Sequence, residues 1–266
     1  MKKVGILGAS GRMGRALLET LSASPEVVLA FAAIRDNSPL IGTDAGLVVG
    51  QKANGILLSA LSDVAFEDVD VVIDFTLPDA LANTLQKAKA AKIPLVIGTT
   101  GLNDKQLASI DEAAKSIPIV FSANYSIGVN LLFALARQAT RVMHKHSDIE
   151  IMEAHHRFKR DAPSGTALAI GEHIADELGV NLSERAVYAR QGDTGEREAG
   201  SIGFATIRAG DIVGEHTVLF ASMAERLELS HKASSRLTFA QGAVSAASWI
   251  TARPVGLYSM QNVLAI

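Results

Sequence analysis

An α/β architecture built on a parallel sheet follows from three features of the 266-residue chain. Short apolar runs alternate with helical stretches through the first half, the runs are continuous, and a glycine-rich turn joins the first run to the first helix. Strand and helix in alternation imply a parallel sheet with helices on both faces. Continuous apolar runs are what strands covered on both faces require.

The strands are expected at Lys3–Leu7, Val27–Ile34, Val69–Phe75, Leu95–Ile97 and Ile119–Phe121. Between them Arg12–Ser22, Asp79–Lys92 and Asp104–Ser116 carry Ala and Leu at helical spacing. Near Tyr125 the pattern changes. Ile127–His144 reads as a long amphipathic helix, Asp148–Glu153 as a strand and Ser164–Leu178 as a helix. Ile202–Arg208, Val213–Phe220 and Arg226–Ser230 then read as antiparallel strands, with turns near Gly210 and Ala224–Glu225. A last helix is expected at Ser235–Ile250. These patterns assign residues 1–126 and 236–266 to one domain, the tail folding back onto the first sheet, and residues 127–235 to a central α+β domain.

Apolar residues make up 48% and charged residues 20%, which is ordinary globular usage and enough for substantial cores. With no cysteine there is no disulfide, thiolate zinc site or thiol nucleophile, as suits a reducing cytoplasm. The formal charge of −3 argues against a nucleic-acid partner, which draws on a basic surface. The apolar run Val4–Gly8 is too short for a secretory signal, and no window reaches the roughly 18 apolar residues of a membrane span. The expectation is a soluble cytoplasmic enzyme.

After the first strand comes Gly8-Ala9-Ser10-Gly11-Arg12-Met13-Gly14. Strand, glycine turn and helix start form the usual seat of a dinucleotide pyrophosphate. Glycines let the backbone approach phosphate, and the helix start supplies amides and a favourable dipole. The spacing is G-x-x-G-x-x-G, so the loop taken alone is also compatible with a structural turn. The second strand ends at Ile34-Arg35 where NAD-binding sheets often carry an acid for the ribose hydroxyls. A guanidinium there suits a 2′-phosphate, so NADPH is expected over NADH. Thr76, Thr99 and Thr100 fall at strand ends, where ligands collect in open sheets.

The densest chemistry lies in Glu153-Ala154-His155-His156-Arg157-Phe158-Lys159-Arg160-Asp161-Ala162-Pro163-Ser164-Gly165-Thr166-Ala167. Pro163 disfavours helical geometry at Ala162, and Ser164 fits an N-cap. The amides of Gly165 and Thr166 would then start a helix and face an anion. Five basic side chains within six positions precede it, a setting for a small carboxylate-bearing molecule. Histidine exchanges protons near neutrality and lysine supplies positive charge. Neighbouring histidines on an extended strand diverge and no third ligand lies nearby, so no metal is expected.

The stretch EAHHRFKRDAPSGTA closely resembles the signature of the 4-hydroxy-tetrahydrodipicolinate reductase family, also called dihydrodipicolinate reductases. The resemblance extends through GASGRMG, DFT at Asp74–Thr76, IGTTG at Ile97–Gly101, SANYSIGVN at Ser122–Asn130, GFATIRAGDIVGEHTV at Gly203–Val218 and HKASSR at His231–Arg236. It implies a Rossmann-like nucleotide domain completed by the C-terminal segment, a central substrate and oligomerisation domain, and a homotetramer. It implies reduction of a cyclic dicarboxylate imine in lysine and diaminopimelate biosynthesis.

The cofactor contacts it implies are Gly8, Ala9, Ser10, Gly11, Arg12, Met13, Ile34, Arg35, Gly98, Thr99, Thr100, Ser122, Ala123, Asn124 and Tyr125. His155 takes the family's proton donor or acceptor position and Lys159 its second proton-donor position, while His156, Gly165 and Thr166 bind substrate. Many members carry glutamate where this chain has Ile34, which strengthens the expectation of NADPH. Two other readings share the glycine loop: a related amino-acid dehydrogenase, which leaves HHRFK and PSGTA unexplained, and a nucleotide sensor without chemistry, which does not need His155 and Lys159.

Overall fold

The computed structural model describes every residue from Met1 to Ile266. The chain divides into two compact units, residues 1–127 with 236–266, and residues 128–235. In the first unit the order is β1 (Lys2–Leu7), α1 (Arg12–Ser22), β2 (Val27–Ile34), α2 (Ala45–Val48), β3 (Leu58–Ala60), β4 (Val71–Asp74), a 3-10 turn at Pro78–Ala80, α3 (Leu81–Ala91), β5 (Leu95–Ile97), α4 (Asp104–Ala113) and β6 (Pro118–Phe121). The second unit holds α5 (Ile127–Met143) from its second residue on, β7 (Asp148–His155), α6 (Gly165–Leu178), α7 (Leu182–Arg185), β8 (Ala186–Val187), β9 (Ile202–Arg208), β10 (Gly214–Ala221) and β11 (Arg226–Ala233). The chain returns to the first unit with α8 (Leu237–Ile250), β12 (Gly256–Tyr258) and α9 (Met260–Leu264).

The first sheet has seven parallel strands in the order β12-β6-β5-β4-β1-β2-β3. Alternate residues of each central strand enter different cores. Val4, Ile6, Val71, Ile73, Val96 and Val120 join the core formed with α1 and α8. Leu7, Val72, Leu95, Ile97 and Ile119 join the core formed with α3 and α4. With both faces covered, neither side of a strand needs polar residues, which is why the runs are continuous. Each such side chain contributes about 1.5–3 kcal/mol on burial. Strand order reverses between β1 and β4, so the first connection leaves toward β2 and a later one toward β5. A crevice at the C-terminal strand ends is the outcome of such a reversal.

The second sheet runs β11-β10-β7-β9-β8. Ile149, Ile151, Ile202, Phe204, Val218 and Phe220 share one core with Val129, Phe133, Ala167, Ile170 and Ile174 of α5 and α6. Here one expectation is corrected. Ile202–Arg208 is not part of an antiparallel meander: β9 pairs in parallel with β7 and β8, and only β10 pairs antiparallel, with β7 and β11. The five residues between β9 and β10 step across the end of β7 instead of closing a hairpin. Two backbone bonds strap that crossing, Ala209 N–H to His155 O at 3.0 Å and Arg157 N–H to Gly210 O at 3.1 Å. No helix is long and apolar enough to cross a membrane.

Candidate active site

In the first unit, the loop after β1 is shaped by glycine. Gly8 has φ of +82°, which a side chain would strain, and its amide and that of Ala9 both donate to Ala33 O. A Cβ on Gly14 would lie 2.2 Å from Gly8 O and 2.5 Å from the Ala9 Cα, so α1 presses against the loop. The first intrahelical bond is Arg15 N–H to Gly11 O at 2.9 Å, leaving Arg12, Met13 and Gly14 amides without helix acceptors. Gly11 caps the helix with no side-chain bond, and no acid occupies the first turn. Arg15 steadies the loop by donating from Nε to Ser10 O at 3.1 Å and from Nη1 to Val48 O at 3.2 Å.

At the neighbouring strand ends, Gly98 admits the Phe75 ring, which a Cβ would meet at 2.3 Å. The Thr99 hydroxyl is buried at the strand end without a hydrogen-bond partner. Thr100 and Ala123 are exposed. Ser122 and Asn124 close a turn, the Ser122 hydroxyl donating to Asn124 O at 2.7 Å. Thr76 is committed to the turn, donating its hydroxyl to buried Asp74 at 2.6 Å. Burial raises the Asp74 carboxyl pKa, against the hydrogen bonds from Thr76. Free helix amides, an unguarded N-cap and the buried Thr99 hydroxyl together fit a dinucleotide.

At three of the expected contacts the side chains are buried, so a contact there falls to the backbone. Ile34 is 1% exposed in the α1–α8 core and in register with Ala60 of β3, so its side chain cannot reach a ribose. Tyr125 is 2% exposed and donates its hydroxyl to Ile97 O at 2.8 Å, bracing β5 against β6. Ala9 is fully buried, and its amide donates to Ala33 O at 3.0 Å. Arg35, one residue past Ile34, is exposed at the end of β2.

In the second unit β7 extends two residues beyond expectation, to His155. Side chains two apart on a strand share a face. Glu153 and His155 therefore meet, with Oε2 2.6 Å from Nδ1. The Glu153 side chain is 1% exposed and that of His155 12%. Arg208 on β9 donates to both Glu153 oxygens, at 2.8 and 2.7 Å, and the Ser164 amide donates to Oε1 at 3.0 Å. Burial pushes the Glu153 carboxyl up, but the bonds from Arg208, His155 and Ser164 outweigh it and hold it below the ordinary value. For His155 burial lowers the pKa and exceeds the upward pull of Glu153. A Cβ at Gly214 would lie 3.1 Å from His155 Nε2, so glycine there leaves room for the ring.

Lys159 sits 2.9 Å from the Asp161 carboxylate, in the loop whose Ala162–Pro163 bond is cis. Ser164 caps α6 as expected, its Oγ accepting from Ala167 N–H at 3.2 Å, so Gly165 and Thr166 occupy the first turn. A Cβ on Gly165 would meet nothing, which leaves space over that turn. His156 diverges from His155; its ring lies 6.3 Å from that of Phe158, and its buried Nδ1 has no partner. No three His, Asp or Glu side chains group as a metal would require.

Glu153, Arg208 and His216 were missed from sequence. Glu153 was legible by the two-residue spacing to His155; the other two needed the strand register. His216 is buried on β10, with Nε2 3.1 Å from Ser164 Oγ and its ring 5.2 Å from that of His155. Burial first, then the His155 charge, lower its pKa from 6.5 to about 3. Its stabilising contribution is therefore full above the unfolded value and is lost as pH falls toward the folded one, because only the unfolded chain takes the proton. At pH 5 the loss is about 2 kcal/mol. His216→Gln is expected to show a smaller drop in Tm between pH 7 and pH 5 than wild type; equal drops would refute the buried neutral histidine.

The chain matches the family models described as dihydrodipicolinate reductase, N-terminus, over residues 2–125, and dihydrodipicolinate reductase, C-terminus, over residues 128–264. It is 57% identical over 266 residues to a Pseudoalteromonas atlantica protein named 4-hydroxy-tetrahydrodipicolinate reductase, covering 100% of each. A protein of the same name from Alkalilimnicola ehrlichii is 52% identical over 264 residues, covering 99% of each. A solved structure described as dipicolinate-bound dihydrodipicolinate reductase from Paenisporosarcina sp. TG-14 matches with a TM-score of 0.74 at 25% identity, over 98% of this chain and 99% of that one.

Proposed function

The chain belongs to the dihydrodipicolinate reductase family, and on that premise we propose that it reduces 4-hydroxy-tetrahydrodipicolinate to tetrahydrodipicolinate, with loss of water, using a nicotinamide nucleotide. One observation carries this reading: residues 153–166 bring a carboxylate-held histidine, a lysine and the Ser164-capped start of α6 into one segment.

The assignments are residue by residue. Residues 1–126 and 236–266 form the dinucleotide-binding domain, with the Arg12 and Met13 amides and the Thr99 hydroxyl facing the nucleotide. Residues 127–235 form the substrate domain. There the first turn of α6 at Gly165 and Thr166 holds one carboxylate, and the His156 ring binds the substrate beside it. A bound reduced nicotinamide supplies hydride. His155 transfers a proton at Nε2, and the Lys159 ammonium stabilises negative charge developing on the ring nitrogen and supplies the second proton. Assembly into a homotetramer, which the family resemblance implies, is part of this reading. Light scattering of the purified chain tests that assembly.

NADPH is the preferred donor, because Arg35 is an exposed guanidinium with no carboxylate partner and no acid ends β2. Arg35→Ala is expected to lower kcat/KM roughly tenfold or more with NADPH and far less with NADH, since a charged hydrogen bond is lost only with the phosphate. Equal losses would assign Arg35 no role in discrimination.

The activity itself is tested by following nicotinamide absorbance with cyclic substrate freshly made by a coupled synthase. Substrate-dependent oxidation of NADPH is expected. Tight nucleotide binding without turnover would point to a sensor.

A further inference from the structure

We propose that Glu153 is the positioning residue of the proton-transfer site, holding His155 in the Nδ1–H tautomer and tying it to the first turn of α6. The role rests on the reading of His155 given above.

An ionised carboxylate only accepts hydrogen bonds, so at 2.6 Å the shared proton belongs to Nδ1 of the imidazole. Nε2 is then the nitrogen that exchanges protons. It is an acceptor in the neutral ring and a donor in the charged one. The same carboxylate takes the Ser164 amide on Oε1 at 3.0 Å, immediately before Gly165 and Thr166. One side chain thus sets both the histidine and the start of the carboxylate-holding turn. Arg208 and the Thr206 hydroxyl, 3.3 Å from Oε1, complete its shell. A buried charge this fully bonded adds little stability over a well-packed apolar residue. Orientation is what an apolar residue could not supply.

The groups that face His155 are Glu153 on its own strand, Arg208 on β9 and His216 on β10, with His231 paired to His216 on β11, and Lys159 beside Asp161 in the following loop. Of these only Glu153 touches Nδ1. In Glu153→Gln the amide oxygen keeps its place among the three donors on Oε1, which turns the NH2 toward Nδ1. A donor there drives the proton to Nε2 and removes the charge that favours imidazolium.

The test uses the full chain with NADPH bound and its histidine rings labelled with nitrogen-15. The wild-type His155 signal, assigned by its loss in His155→Gln, is expected to report a proton on Nδ1 at neutral pH. An Nε2–H tautomer in wild type would overturn the proposal without any variant. In Glu153→Gln the Nδ1 proton is expected to vanish, the kcat limb of His155 to move about one pH unit or more downward, and kcat to fall roughly tenfold or more, with NADPH affinity unchanged. If His155→Gln leaves kcat at the wild-type value, the catalytic reading and the positioning role fall together. If His155→Gln stops turnover but Glu153→Gln leaves the signal and the limb in place, only the positioning role falls. An equal fractional loss from Glu153→Gln in wild-type and His155→Gln backgrounds also overturns it, because a group acting through His155 has nothing to act on there.

Discussion

His155→Gln and Lys159→Ala are each expected to lower kcat by about a hundredfold or more, the usual loss when a positioned acid or base is removed, while NADPH affinity stays at the wild-type value. The two should differ in detail. His155 is lodged between Glu153 and His216, so glutamine leaves the partners of a buried carboxylate rearranged, and a fall in Tm should accompany the loss. Lys159 is bound only to Asp161, which is largely exposed, so Lys159→Ala should leave Tm nearly unchanged. The signs of pH dependence also separate them. Burial holds the His155 pKa below the ordinary imidazole value, so a proton-donating His155 loses activity as pH rises through that lowered value. Turnover in Lys159→Ala should keep that limb, and turnover remaining in His155→Gln should lack it. Wild-type kcat in both variants would remove the proton roles altogether.

Much of the first unit was legible because its signal is local. Val4, Ile6 and Leu7 feed two cores from one strand, and only a doubly covered strand is apolar at consecutive positions. The elements that escaped reading are short: β3 and β12 have three residues each, and β12 begins at Gly256. Three residues carry no period. The β9–β10 connection was misread because a five-residue gap between two β-rich runs ordinarily closes a hairpin. What decides otherwise is the non-local pairing of Ile149 with both Ile202 and Phe220, which places β7 between them.

The site divides along the same line. The glycine loop, Ser164 as N-cap and the first turn at Gly165 follow from chain order alone. Ile34 and Tyr125 were assigned contacts by position, yet their side chains point into the core, a matter of facing that a motif does not encode. Arg208 and His216 reach His155 only through register, more than fifty residues later in the chain.

The glycine loop offers the sharpest separation of structural from ligand effects, through Gly11→Ala beside Gly14→Ala. Gly11 has φ of −70°, which alanine adopts freely, and its Cβ would meet only Gly8 O, at 3.3 Å. Gly11→Ala should therefore fold with nearly the wild-type Tm. A methyl at the head of α1 nonetheless stands where phosphate approaches the free amides, so NADPH affinity should fall about tenfold or more, the cost of one or more charged hydrogen bonds. Gly14→Ala places Cβ within 2.6 Å of three backbone atoms, Gly8 O and the Ala9 Cα and C, none of which can swing aside as a side chain would. Relief requires α1 to lift from β1. Because Leu17, Leu18 and Leu21 of α1 are buried in the core that lift would open, the cost should be roughly 3 kcal/mol or more. Denaturant unfolding and nucleotide titration of the two variants give the test. Lost affinity with intact stability in Gly11→Ala assigns the loop to the nucleotide; intact affinity there would make it a turn whose glycines serve packing alone.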